Sequence, residues 1–170
     1  MNLTNLGLLR KIAGLNAKEL AGLCLVFLKY PRYLLPTYKA TKRTVYISDR
    51  LYGNLHHGDN RTNAFRHALW NFLICQYCLP VAGTAEKAAT WSKTITDLHE
   101  RLAPNEELAK MMDLHNNRIG RDLFHRRPKE EEVIPLLQLM IKEAVKVSTV
   151  EHIEKEREKL VFIEKIEHPL

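Results

Sequence analysis

The sequence predicts an all-α fold, a compact multi-helix single domain with a polar site between three central helices. Three observations predict it. Apolar residues recur at helical rather than alternating spacing, proline and glycine punctuate the chain between such segments, and the middle segments carry polar stripes of matching geometry. The chain contains neither an internal repeat nor a strand-turn-strand pattern that would propose a sheet.

A length of 170 residues suits one core better than two, and 45% hydrophobic with 27% charged residues describes an ordinary globular chain rather than a disordered one. The expected organisation is a basic, apolar N-terminal part over 1–52, a central core over 59–124 and C-terminal scaffold helices over 129–170. Charge is uneven: residues 1–50 carry nine Lys and Arg against two Asp and Glu, whereas residues 129–170 carry seven against ten. A basic front favours anionic partners, whether a membrane surface, nucleic acid or a phosphorylated substrate.

Three cysteines, an odd number without a regular framework, suit a reducing compartment. Cys75-x-x-Cys78 lies inside an apolar helical stretch with no second pair, so core packing is expected rather than a redox or zinc half-site. At the N-terminus, Arg10 and Lys11 follow the first apolar residues, against the order of a secretory signal. The longest apolar run, 21–28, is far short of the roughly 20 residues that span a bilayer. The expected location is therefore cytoplasmic, with peripheral attachment to a membrane as an alternative.

Taken in order, Asn16 and Glu19 form a capping-box pattern ahead of an apolar helix reaching about residue 30, where Pro31 stops it. Pro36 is expected to break the next stretch, leaving a helix over 38–51 in which Thr44-Val45-Tyr46-Ile47 has competing strand propensity. Turn formers over 53–60 read as a loop with His56 and His57 exposed. Helices follow over 61–77, closed by Pro80 and Gly83; over 85–101, capped by Thr84; and over 104–124, with Glu106 and Glu107 suiting the helix dipole. A helix over 130–147 has Pro135 uncomfortably inside it, and Ser148 or Thr149 caps a last, charged one.

The polar stripes carry the functional signal. Asn63, Arg66, His67 and Trp70 share one face of the first central helix, while Phe65, Leu69, Phe72 and Leu73 anchor the other. Thr96, His99 and Glu100 line the second, with Trp91, Ile95 and Leu98 for packing. Asp113, Asn116, Asn117 and Gly120 repeat the first stripe's spacing on the third. Asn, Asp and Gly are poor mid-helix residues, and Gly costs about 1 kcal/mol against Ala. A buried network in which Asn117 reaches Arg66 or Glu100, with Gly120 admitting a neighbouring helix, would offset that. His115 alternates with this face and is expected to point elsewhere.

The runs Asn63-Ala-Phe-Arg66-His67-Ala-Leu-Trp70, His99-Glu100 and Asp113-Leu-His115-Asn116-Asn117-Arg-Ile-Gly120, in that order, resemble an uncharacterised bacterial helical domain of unknown function. That family stands alone or forms the C-terminal module of toxin-like or wall-associated proteins. The resemblance implies a helical domain with these residues clustered and a hydrolytic or toxin-like role. A toxin role implies in turn delivery by a contact-dependent secretion system and a cognate immunity protein.

The residues themselves leave three readings open. The sharpest is phosphoester hydrolysis, with His67 or His99 as general base, Glu100 as orienting group or acid, and Arg66 stabilising negative charge. Asp113, Asn117, Asn63, Trp70, Thr96 and Asn116 would position these groups or the substrate. In a metal variant His67, His99, Glu100 and Asp113 supply a mixed N/O set for a divalent ion such as zinc, although His99-Glu100 is not a His-Glu-x-x-His motif. The third is a buried ion-pair network in a non-catalytic binding or membrane-associated module. Around Lys29, Tyr30, Arg32, Tyr33, Tyr38, Lys39, Lys42, Arg43 and Tyr46, basic and aromatic residues interleave beside the apolar run 21–28. This suits a phospholipid interface, and equally a nuclease stacking on single strands; the plainer expectation is a basic surface over an ordinary core helix.

Overall fold

The computed structural model describes residues 17–102, 106–126 and 128–163. Helix α1 (Ala17–Lys29) ends before Pro31, and a 3-10 turn (Pro31–Tyr33) leads into α2 (Leu34–Tyr52). The expected cap, Asn16, lies outside the described residues. Helix α2 starts earlier than predicted because Pro36 falls in its first turn, where the missing N–H has no helical partner to lose. Its strand-prone middle is helical too: Thr44 and Ile47 are buried, and the Thr44 hydroxyl donates to the Ala40 carbonyl at 3.0 Å. Burial outweighs a β preference that is weak where packing decides.

A second 3-10 turn (Gly53–His57) precedes α3 (Arg61–Ala82). Asn60 caps α3, its Oδ1 accepting from the amides of Thr62 and Asn63 at 3.0 and 3.1 Å. The helix runs past the predicted end and closes at Gly83, whose φ of 83° is the left-handed conformation that favours glycine. Contrary to expectation His56 is fully buried, with Nε2 2.7 Å from Asp49 Oδ1, while His57 is exposed.

Thr84 accepts from the Lys87 amide at 3.2 Å at the start of α4 (Ala85–Leu102), and α5 (Glu107–His125) follows. Helix α6 (Glu130–Lys142) stops short of the predicted 147 and keeps Pro135 in its second turn. Beyond it the chain forms a feature the periodicity did not predict, a two-residue parallel ladder between β1 (Val145–Lys146) and β2 (Val161–Phe162). Between them α7 (Val150–Lys155) is capped by Thr149, which accepts from the His152 amide at 3.3 Å. Two-residue strands are too short for alternation to register. The charged run is solvated as predicted, with Ile153 turned inward.

The fold is all-α around α3, which packs against α2, α4, α5 and α6. Phe65, Leu69, Phe72, Leu73, Ile74, Cys75 and Cys78 of α3 are wholly inaccessible, so both cysteines are core residues as expected. Burial pushes their thiols up, Cys75 to about 12 and Cys78 to about 11, which keeps them protonated and unreactive. Two indoles pin α2 to the bundle: Trp91 of α4 donates to Thr37 Oγ1 and Trp70 of α3 to Thr41 Oγ1, both at 2.9 Å. No helix among the described residues is long and apolar enough to cross a membrane.

Helices α3 and α5 touch where Gly120 faces the α3 backbone: a Cβ at Gly120 would lie 2.1 Å from the Ala68 carbonyl oxygen. Asn116 of α5 holds β2 as a neighbouring strand would, with Nδ2 donating to the Val161 carbonyl at 2.9 Å and Oδ1 accepting from the Val161 amide at 3.0 Å.

Helix propensity alone would make Gly120→Ala stabilising by about 1 kcal/mol. The contact reverses the sign, and we expect a loss of about 1–3 kcal/mol, a fall in Tm of roughly 3–10 °C in thermal circular dichroism. An unchanged or raised Tm would show that the helices do not meet there. Asn116→Ala should abolish hydrogen-exchange protection of the Val161 amide while leaving that of α3 intact.

Candidate active site

The three polar stripes converge on His67. Its ring lies buried between α4 and α5, with Nδ1 3.1 Å from Asn117 Oδ1 and 3.6 Å from Glu100 Oε1, and Nε2 3.4 Å from Asp113 Oδ1. Arg66 donates from Nη2 to His67 Nε2 at 2.9 Å. A guanidinium has only donors, so Nε2 carries the lone pair and Nδ1 the proton, which it gives to Asn117 Oδ1. Asn117 Nδ2 in turn faces Glu100 Oε1 at 3.4 Å. One imidazole is thereby oriented by residues from three helices.

Burial sets the electrostatics. Glu100 and Asp113 are 1% and 4% exposed, and loss of solvent raises both carboxyls well above the usual range. The Asn117 amide and Arg66 pull Glu100 back in part; for Asp113 the neighbouring Glu100 charge pushes further in the same direction as burial. Burial lowers the Arg66 guanidinium, against the attraction of Asp113 and Glu100. Glu100 Oε2, Asp113 Oδ1 and Asn63 Oδ1 are buried without a hydrogen-bond partner among the described residues.

The other predicted residues divide. Trp70 sets its ring edge-on to His67 at 6.4 Å and to His99 at 5.3 Å, so that half-buried Arg66 and Trp70 and exposed His99 form the solvent side of the cluster. Thr96 is buried and donates to Asn71 Oδ1 at 3.2 Å and to the Ser92 carbonyl. Asn116 is turned to β2 rather than to His67, and His115 also points away, with Nε2 2.8 Å from the Lys159 carbonyl.

Sequence reasoning missed the hub beneath the cluster. Asn71 Nδ2 donates to Asn117 Oδ1 at 2.6 Å and to the His67 carbonyl, while Asn71 Oδ1 accepts from Ser92 Oγ at 2.9 Å and Arg121 Nη1 at 2.8 Å, as well as from Thr96. Asn71, Arg121 and Ser92 each stand four residues from a recognised position: His67, Asn117 and Thr96. Extending each stripe one turn would have found them.

The basic and aromatic front segment is mostly surface. Leu25, Leu28 and Leu35 are 67%, 78% and 59% exposed, Tyr38 and Tyr46 are exposed among Lys39, Lys42 and Arg43, and only Tyr33 is buried, stacked on Trp91 at 4.3 Å. Asp49, His56 and His57 make a second group of potential ligand atoms within 4.8 Å of one another, separate from the His67 cluster.

Asn71→Leu should be far costlier than a surface change, about 3 kcal/mol or more in urea unfolding, because it strands the buried partners Ser92, Thr96, Asn117 and Arg121 together. A loss below about 1 kcal/mol would show that the amide is not their common partner.

Residues 24–147 match the family model described as a domain of unknown function, DUF6973, a span that includes all three stripes and the N-terminal basic face. No curated protein matches the chain. With most of its length inside that match, the chain belongs to the DUF6973 family.

Proposed function

We propose that the protein is a hydrolase that cleaves a phosphoester, with phospholipid at an anionic membrane surface as the preferred substrate. The observation that carries this reading is the meeting of Arg66, Glu100 and Asp113 at the His67 ring, two buried carboxyls and a guanidinium within reach of one oriented imidazole. Buried acid–base groups displaced from their ordinary values concentrate at catalytic centres. Arg66, on the solvent side, neutralises the phosphoryl oxygens as charge develops, and Trp70 and His99 flank the approach. A water loses its proton to the His67–carboxyl centre and adds to phosphorus; the ester P–O bond breaks, and the departing alkoxide takes up a proton to leave as an alcohol.

The lipid preference rests on the N-terminal face. Leucines exposed at α1 and the start of α2, flanked by Lys29, Arg32, Lys39 and Lys42, fit the apolar and anionic layers of a membrane surface. On this reading the protein works as a peripheral, bacterial membrane enzyme. Lys29 over Tyr30 and Arg43 over Tyr46 favour the second reading, a nuclease toxin domain restrained by an immunity protein, since such pairs also suit stacked bases. Near-complete burial of the carboxyls favours a third, a non-catalytic helical module fixed by a polar network.

The protein should convert phosphatidylglycerol vesicles to diacylglycerol and glycerol phosphate, or to phosphatidate and glycerol, measured by mass spectrometry, with Arg66→Ala lowering kcat by about 10²–10³-fold and Arg66→Lys by less. Cleavage of single-stranded nucleic acid without vesicle turnover would transfer the reading to the nuclease. Failure of the wild type to cleave either would leave the non-catalytic module. Leu25→Asp with Leu28→Asp should weaken vesicle flotation, as should high salt.

A further inference from the structure

His67, Glu100 and Asp113 come from three different helices, yet each offers a ligand atom within 4.8 Å of the other two. We propose that these residues bind one first-row divalent cation, of the zinc or manganese class. The inference rests on the proposed hydrolase reading only for the cation's purpose; binding itself stands on the geometry that follows.

The hydrogen bonds already made select the atoms left to bind. A metal-ligating imidazole characteristically donates its other N–H to a carbonyl or carboxylate, which fixes its tautomer and ring angle. His67 does this: Nδ1 gives its proton to Asn117 Oδ1 at 3.1 Å, so Nε2 presents the lone pair, 3.4 Å from Asp113 Oδ1. Donor atoms around a tetrahedral zinc at about 2.0–2.2 Å stand roughly 3.3–3.6 Å apart. Asn117 also orients the second ligand: its Nδ2 engages Glu100 Oε1, leaving Oε2 for the cation. Glu100 Oε2 and Asp113 Oδ1 are buried side-chain oxygens without a hydrogen-bond partner among the described residues, which is costly unless something completes them. Asn63, one turn before His67 on the same stripe, has a third such oxygen.

Charge balance points the same way. Arg66 brings one positive charge toward two carboxyls that burial holds toward their neutral form, and its guanidinium forms no ion pair with either, donating instead to the His67 nitrogen. One divalent cation balances both carboxylates and takes the Nε2 lone pair, which releases Arg66 toward solvent and an anionic substrate. The mixed nitrogen and oxygen set suits first-row ions, and a bound ion there would lower the pKa of its water toward neutrality, the proton then passing to a carboxylate oxygen of the centre and not to the ligated His67. The Asp49, His56 and His57 group differs: its aspartate and buried histidine already meet at 2.7 Å.

The test is binding of zinc chloride and manganese chloride to EDTA-dialysed protein, read by native mass spectrometry and calorimetry. The wild type should take up one ion, and Glu100→Gln and Asp113→Asn should each weaken uptake by about 10-fold or more. Arg66→Ala should bind at least as tightly as wild type, and His57→Ala should bind unchanged. Absence of binding by the folded wild type overturns the proposal, as does binding lost in His57→Ala but kept in Glu100→Gln and Asp113→Asn. Phosphoester cleavage by a protein that takes up neither ion would refute the cation and spare the hydrolase; one-to-one binding without any cleavage would do the reverse.

Discussion

Helix α5 can approach α3 closely because Gly120 presents no side chain to the Ala68 carbonyl, and the polar cluster depends on that approach. His67 is the neighbour of Ala68, and Asn117 lies three residues before Gly120 on the facing helix. At this separation short side chains span the gap: Asn117 Oδ1 reaches both His67 Nδ1 and Asn71 Nδ2. Wider spacing would need longer, more mobile groups, and the imidazole would lose its fixed orientation. The conformational cost of a mid-helix glycine is thus offset by hydrogen bonds that only a close helix pair can make.

Around this contact the buried polar groups separate into two levels. Beneath, Asn71, Ser92, Thr96 and Arg121 satisfy one another and the Asn117 amide, with the half-buried Arg121 reaching in to Asn71. Such a layer fixes the register of α3, α4 and α5 because each partner strands another if it shifts. Above it, Asn63, Glu100 and Asp113 keep oxygens without hydrogen bonds. Other buried atoms of this kind lie elsewhere, at Ser48, Gln76 and Asp97. Those of Glu100 and Asp113 belong to the two carboxyls beside the ring that the lower layer orients, and function is one reason natural interiors keep such exceptions.

Much of this arrangement is legible in the residues. Stripes at three-one-three spacing on α3 and α5 identify the facing surfaces, and Gly120 among them signals close approach. His67, Glu100, Asp113 and Asn117 meet as that pattern predicts. Asn71 lies one turn beyond His67 on the polar stripe of α3, but its sequence neighbours Phe72 and Leu73 read as packing alone, so the stripe ends at Trp70 when the sequence is read by itself. Asn116 shares a helix with the cluster, but its job was set by residues 45 positions later, a pairing that no local pattern encodes. His56 looked like a loop residue; its burial depends on the tertiary fold around the 3-10 turn and on Asp49. The reaction is less legible still, since neutral and charged forms of the same side chains support several chemistries.

The orientation of His67 by the α3–α5 contact is tested most directly by the nitrogen resonances of its imidazole in isotope-labelled, metal-stripped protein. The account predicts a single neutral tautomer, protonated at Nδ1, with that proton slow to exchange and lost as a resolved signal in Asn117→Ala. Averaging between the two tautomers, with rapid solvent exchange in the wild type, would contradict it.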